Sequence, residues 1–120
     1  MTLRLAVFVS GSGRTLANLL AWIAAGRLDA EIVLVVASRE GIRGAAIARE
    51  AGLNTRVLDP RQSSAADVSE QAFAACREQR VDLVVLGGYL HLLDIPADFT
   101  GRVVNIHPSL LPAFGGKGFH

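Results

Sequence analysis

Glu31-Ile32-Val33-Leu34-Val35-Val36-Ala37 decides the fold class, because after its first residue the run is apolar at every position. A strand with one wet face alternates apolar and polar side chains. A continuous β-branched run predicts a strand covered on both faces, as in a parallel sheet between helix layers. Upstream, Leu3 to Val9 is a second such run, and Leu16, Leu19, Leu20 and Ile23 then recur at helical spacing with Gly26 as a stop. Downstream, Gly44 to Ala51 reads as a short helix closed by Gly52, and Thr55 to Leu58 as a strand ended by Asp59-Pro60. Ser64 is placed to cap a helix running to about Gln79, with Asp67 in its first turn and Val68, Ala72, Phe73, Ala75 and Cys76 on its buried stripe. Asp82 to Leu86 and Val103 to Ile106 complete five strands. Strands separated by helices predict right-handed βαβ units and a mostly parallel sheet in an α/β fold.

Composition narrows the function classes. With 120 residues, 51% hydrophobic and 19% charged, the chain can bury one core and is not a disordered polymer. A net charge of +1 gives no electrostatic case for nucleic acid or an anionic membrane. Cys76 has no partner cysteine, so a disulfide framework is excluded and a small buried apolar role is expected. The run Leu5 to Val9 is too short for a signal peptide, and no segment approaches the ~20 apolar residues of a membrane span. A cytoplasmic setting is expected by elimination.

Ligands of such sheets bind beyond the carboxyl ends of the strands, and three segments fall there. Ser10-Gly11-Ser12-Gly13-Arg14-Thr15 joins a strand to a helix, where glycine backbone and a helix N-terminus suit a phosphate, or simply make a tight, capped turn. Arg14 offers a charge and Thr15 a hydroxyl. A dinucleotide site would need glycine at position 16, where Leu16 stands; Ser38-Arg39-Glu40 after the second strand is placed to meet a ribose or its phosphate. Gly87-Gly88-Tyr89-Leu90-His91-Leu92-Leu93 offers an apolar wall for a flat heterocycle, or core packing at a strand end. On a strand, Asn105 and His107 share one face, so an amide donor stands beside an imidazole, a pairing suited to an oxyanion and a proton near neutral pH, or simply a turn-capping Asn and a satisfied strand-end His. Gly115-Gly116-Lys117-Gly118 lacks the pattern of a nucleotide P-loop. The spacing of Cys76, His91 and His107 is not that of metal ligands, and no metal is expected.

Ser10 to Leu16, Leu86-Gly87-Gly88-Tyr89-Leu90 and, above all, Asn105-Ile106-His107-Pro108-Ser109-Leu110-Leu111-Pro112 resemble the folate-dependent formyltransferases, in order over the whole chain. The last segment is shared by that wider group, and the Ser-Gly-x-Gly opening is similar to the phosphoribosylglycinamide formyltransferases of purine biosynthesis. The resemblance implies a Rossmann-like three-layer α/β/α fold and transfer of a formyl group from 10-formyltetrahydrofolate to the amine of glycinamide ribonucleotide. It implies that Gly13, Arg14 and Thr15 hold the substrate phosphate through backbone amides. Leu90, His91, Leu92 and Leu93 would line the folate pocket. Asn105 would bind the formyl oxygen, and His107 would donate the proton.

Three departures from the family pattern accompany it. Thr15 stands where the family often has Asn. A basic residue near the start of the third helix has no match in Gln62-Ser63-Ser64-Ala65, with Arg61 close by. The family's catalytic Asp lies beyond its Pro-rich segment, and the sequence given ends at His120 before one; Asp94 and Asp98 are not assigned that role. The expectation is one domain over residues 1–120, the N-terminal part of a longer fold, with an unpaired sheet edge that invites self-association. Its alternatives are a non-catalytic phosphate- and folate-binding module and a transferase for another amine, such as a nucleotide-sugar. Leu16 speaks against a nucleotide-binding oxidoreductase.

Overall fold

The computed structural model describes residues 2–106. The elements follow in the order β1 (Leu3–Val9), α1 (Arg14–Ala24), β2 (Ala30–Ala37), α2 (Arg43–Glu50), β3 (Thr55–Val57), α3 (Ala65–Glu78), β4 (Leu83–Gly87), a single 3-10 turn (Ala97–Phe99) and β5 (Val103–Ile106). The strands form one sheet in the order β3-β2-β1-β4-β5, and every neighbouring pair is parallel. The Rossmann-like α/β layering is thus the fold of this chain.

The apolar runs on β1 and β2 are buried because helices cover both faces of the sheet. On one face, Ala72, Phe73, Ala75 and Cys76 of α3 pack against Ala6, Phe8, Leu34, Val36 and Val84. On the other, Leu16 of α1 and Ala45 and Ala48 of α2 pack against Leu5, Val7, Val9, Val35 and Val85. Burying each of the Val, Leu and Phe side chains is worth about 1.5–3 kcal/mol, and the small alanines let the helices approach closely, so the two half-cores hold the helices to the sheet. Ser64 caps α3 as its sequence position suggested, its Oγ accepting the Asp67 amide at 3.0 Å. The Cys76 thiol is pushed up to about 12 by burial, in keeping with an apolar packing role.

Two features bear on the site. The chain steps outward from β1 to β2 and β3, then returns to β4 on the other side of β1, so the order reverses at the β1–β4 boundary. Such a reversal opens a crevice at the carboxyl ends of the strands. Midway along β2, Leu5 faces Ile32 while Ala6 faces Leu34, which leaves Val33 as an extra residue in a β-bulge. Val33 and Leu34 both face the α3 side. Among the described residues, no helix is long and apolar enough to cross a membrane.

Candidate functional site

The exits of β1, β4 and β5 lie side by side, because Val9 pairs with Gly87 and Gly87 with Ile106. Hydrogen bonds beyond the ladder lock them together. The Ser10 hydroxyl donates to the Gly88 carbonyl at 2.7 Å and accepts the Leu90 amide at 3.1 Å. The Gly88 amide donates to the Ile106 carbonyl at 3.1 Å. One serine therefore fastens the loop after β1 to the loop after β4, which in turn holds the end of β5.

The first loop enters α1 without a side-chain cap. Gly13 is the N-cap in a left-handed conformation (φ 73°), no acidic residue stands in the first turn, and Ser12 Oγ reaches the Arg14 amide only at 3.4 Å. The capped turn weighed from the sequence is thus capped by glycine alone. Helix-terminal N–H groups without intrahelical partners and an uncompensated dipole make this end electropositive. Gly13 also permits a close approach, since a Cβ there would lie 2.6 Å from the Gly44 Cα at the start of α2. The Gly44 amide donates to the Gly11 carbonyl at 3.0 Å, which fixes the other flank of the loop.

The individual site residues separate by exposure. Arg14 is exposed at the mouth of the loop. Thr15 is 3% exposed and its Oγ1 has no partner among the described residues; the side chain turns inward against Gly87, where a Cβ would sit 3.0 Å from Thr15 Cβ. Only the Thr15 backbone amide is left for a ligand in the loop. Leu90 and Leu92 are 76% and 85% exposed, an apolar wall facing solvent, whereas Leu93 packs against the α3-side core. His91 is exposed and stacks edge-on against Tyr89, ring centroids 5.3 Å apart. Tyr89 packs in turn on Phe8 at 5.6 Å, and its hydroxyl is buried without a partner among the described residues. Burial raises the Tyr89 pKa, so the phenol stays protonated.

Asn105 is exposed, and its register with Leu86 and Phe8 puts it on the α3 side of the sheet. The expectations placed on His107, on the segment from Pro108 to Pro112 and on the Gly115-Gly116-Lys117-Gly118 turn lie outside the described residues. Among the described residues, no three His, Cys, Asp or Glu side chains gather as a metal site.

Sequence reasoning did not single out Ser10, Ser69 or Gly44. Ser69 is buried on α3 and accepts the Asp94 amide at 2.8 Å, which anchors the segment following the apolar wall. Its signal was a serine on the helical stripe otherwise filled by Val68, Ala72 and Phe73.

Known proteins share this sequence pattern and fold. The family model described as formyl transferase matches residues 3–120. The chloroplastic phosphoribosylglycinamide formyltransferase of Arabidopsis thaliana is 36% identical, over 98% of this chain and 41% of that protein. The trifunctional purine biosynthetic protein adenosine-3 of Gallus gallus is 37% identical, over 98% of this chain and 12% of that protein. The chain thus spans less than half the length of these relatives. Glycinamide ribonucleotide transformylase 1 from Geobacillus kaustophilus superposes with a TM-score of 0.80 at 34% identity, covering 98% of this chain and 64% of that one. On sequence and fold together, the chain belongs to the formyl transferase family.

Proposed function

We propose that this chain serves the transfer of a formyl group from 10-formyltetrahydrofolate to the amine of glycinamide ribonucleotide, in purine biosynthesis. The observation that carries the reading is the Ser10–Gly88–Ile106 junction, which gathers an uncapped helix end, an exposed apolar wall and Asn105 on one sheet edge. Further support comes from relatives named for this reaction.

The Gly13, Arg14 and Thr15 amides hold the substrate phosphate at the positive end of α1. Leu90, His91 and Leu92 lie against the folate, with the half-buried Leu93 backing them from the core, and both substrates meet beside Asn105. The substrate amine attacks the formyl carbon, and the carbonyl electrons move onto oxygen. Asn105 donates a hydrogen bond to that oxyanion. The oxyanion then collapses to a carbonyl as the bond from the formyl carbon to the folate nitrogen breaks. His107 gives its proton to that nitrogen, and the proton released by the attacking amine passes to water. The residues present constitute one domain, the N-terminal part of the family fold, working in the cytoplasm.

The test is formylation of glycinamide ribonucleotide by the full chain, with thermal melting in each ligand alongside. Asn105→Ala and His107→Ala are each expected to lower turnover by about 10²–10³-fold while ligand-induced stabilisation persists. Wild-type turnover by His107→Ala would refute the mechanism. Stabilisation by both ligands without product would make the chain a binding module instead, and preference for a nucleotide-sugar amine would refute the substrate.

A further inference from the structure

A second cleft, of about 270 Å³, opens at the carboxyl ends of β2 and β3, lined by Arg39, Glu40, Val57, Asp59, Arg61 and Gln62. It lies on the ligand-binding edge of the sheet but away from the β1–β4–β5 junction, and the formyl-transfer reading makes no use of it. Its floor is rigid: the Leu58 amide donates to the Ala37 carbonyl at 2.9 Å, and the Gln62 amide to the Asp59 carbonyl at 2.9 Å.

Both carboxylates in the cleft are already occupied. Arg49 grips Glu40 with both terminal nitrogens, at 2.9 and 3.3 Å. Asp59 accepts the Arg61 backbone amide at 2.9 Å, Arg61 Nε at 3.1 Å and a terminal Arg61 nitrogen at 2.8 Å. Arg39 has no ion-pair partner among the described residues. Arg49 neutralises Glu40 from outside the lining, and Arg61 neutralises Asp59. That leaves Arg39, near enough to Asp59 to lower its pKa but outside both pairs, as the surplus charge. Asp59 holds Arg61 in place, so Arg61 can present a further N–H to a ligand with little ordering cost.

We infer that this cleft is a second anion site, in which Arg39 and Arg61 receive the phosphoryl or carboxylate group of a small metabolite. Guanidinium forks match either group, and the volume admits a small molecule rather than a bare ion alone. Val57 supplies the apolar side of the cleft.

The experiment is an amide-resolved NMR titration of the full chain with inorganic phosphate and, separately, with malonate. Saturable shifts at the amides of Arg39, Arg61 and Gln62 are expected, and the tighter-binding probe identifies the group. Arg39→Gln removes no hydrogen bond of the described fold and should weaken binding about tenfold, the loss of one charge-assisted contact. Arg14→Gln should leave these shifts in place. Absence of saturable shifts with either anion overturns the inference, as does binding that Arg39→Gln leaves unchanged or that depends on Arg14.

Discussion

Replacing Gly13 by alanine tests the packing that shapes the first loop. Its φ of 73° lies in the left-handed region, where an L side chain costs roughly 1–2 kcal/mol. The new Cβ would also meet the Gly44 Cα at 2.6 Å and the Gly44 nitrogen at 3.2 Å. Both are backbone atoms that no rotamer change can move, so α1 and α2 must part. Overpacking of this kind adds about 1–3 kcal/mol, for a total of roughly 2–5 kcal/mol. Two controls separate the contributions. Gly41 has φ 81° with nothing within 4 Å, so Gly41→Ala carries the conformational cost alone. Gly11 has neither a left-handed φ nor a neighbour within 4 Å, and Gly11→Ala should be nearly silent. Urea unfolding of the three variants gives the free energies, and a loss of 3 kcal/mol corresponds to a drop in Tm of about 10 °C or more. If Gly13→Ala costs no more than Gly41→Ala, the close approach of α1 and α2 is refuted.

Ser10→Ala removes both the bond to the Gly88 carbonyl and the one from the Leu90 amide, at a cost of about 1–2 kcal/mol since Leu90 is open to water. Amide exchange should quicken at Leu90 and stay unchanged within α3; unchanged exchange at Leu90 would deny the junction its fastener. The Arg61 side chain, then its backbone amide, holds the Asp59 carboxyl down to about 2. A lowered folded value means that the pair stabilises the fold above the ordinary carboxylate pKa of roughly 4, and that this contribution fades as the pH falls toward 2. The melting difference between wild type and Asp59→Asn should therefore be constant near neutrality, shrink below about pH 4 and vanish only well below pH 2, at about pH 1. A difference that persists there would make the role of Asp59 steric rather than ionic.

What was legible in the sequence was whatever local chemistry determines. Burial on both faces leaves its mark on every residue from Ile32 to Ala37, and Ser64 three residues before Asp67, just ahead of a helical stripe, carries the local signal of a cap. The glycines before and after the helices marked turns correctly. What the sequence could not disclose depends on segments distant along the chain. Thr15 was read as offering its hydroxyl to a bound phosphate, but the absence of a side chain on Gly87, 72 positions later, opens the space into which it turns. Ser10 acquires two partners only because β4 returns to the flank of β1. Leu92 and Leu93 are indistinguishable by type, yet one faces solvent and the other packs on the core.

The surplus residue at Val33 has a consequence at a distance. Before it, β2 runs in one phase against β1; after it, every partner is displaced by one position, through to Ala37 opposite Val9. Side chains on a strand alternate, so this mid-strand offset determines which of Ser38 and Arg39 is turned into the body and which toward the rim. Val33 is about 17 Å from that rim at the usual rise per residue, too far to touch anything bound there. The bulge nevertheless keeps the parity of the edge. Were Val33 threaded into a regular ladder instead of being absorbed, every side chain from Leu34 to Arg39 would change face, whereas deleting Val33 would remove the bulge and leave Ser38 inside and Arg39 at the rim.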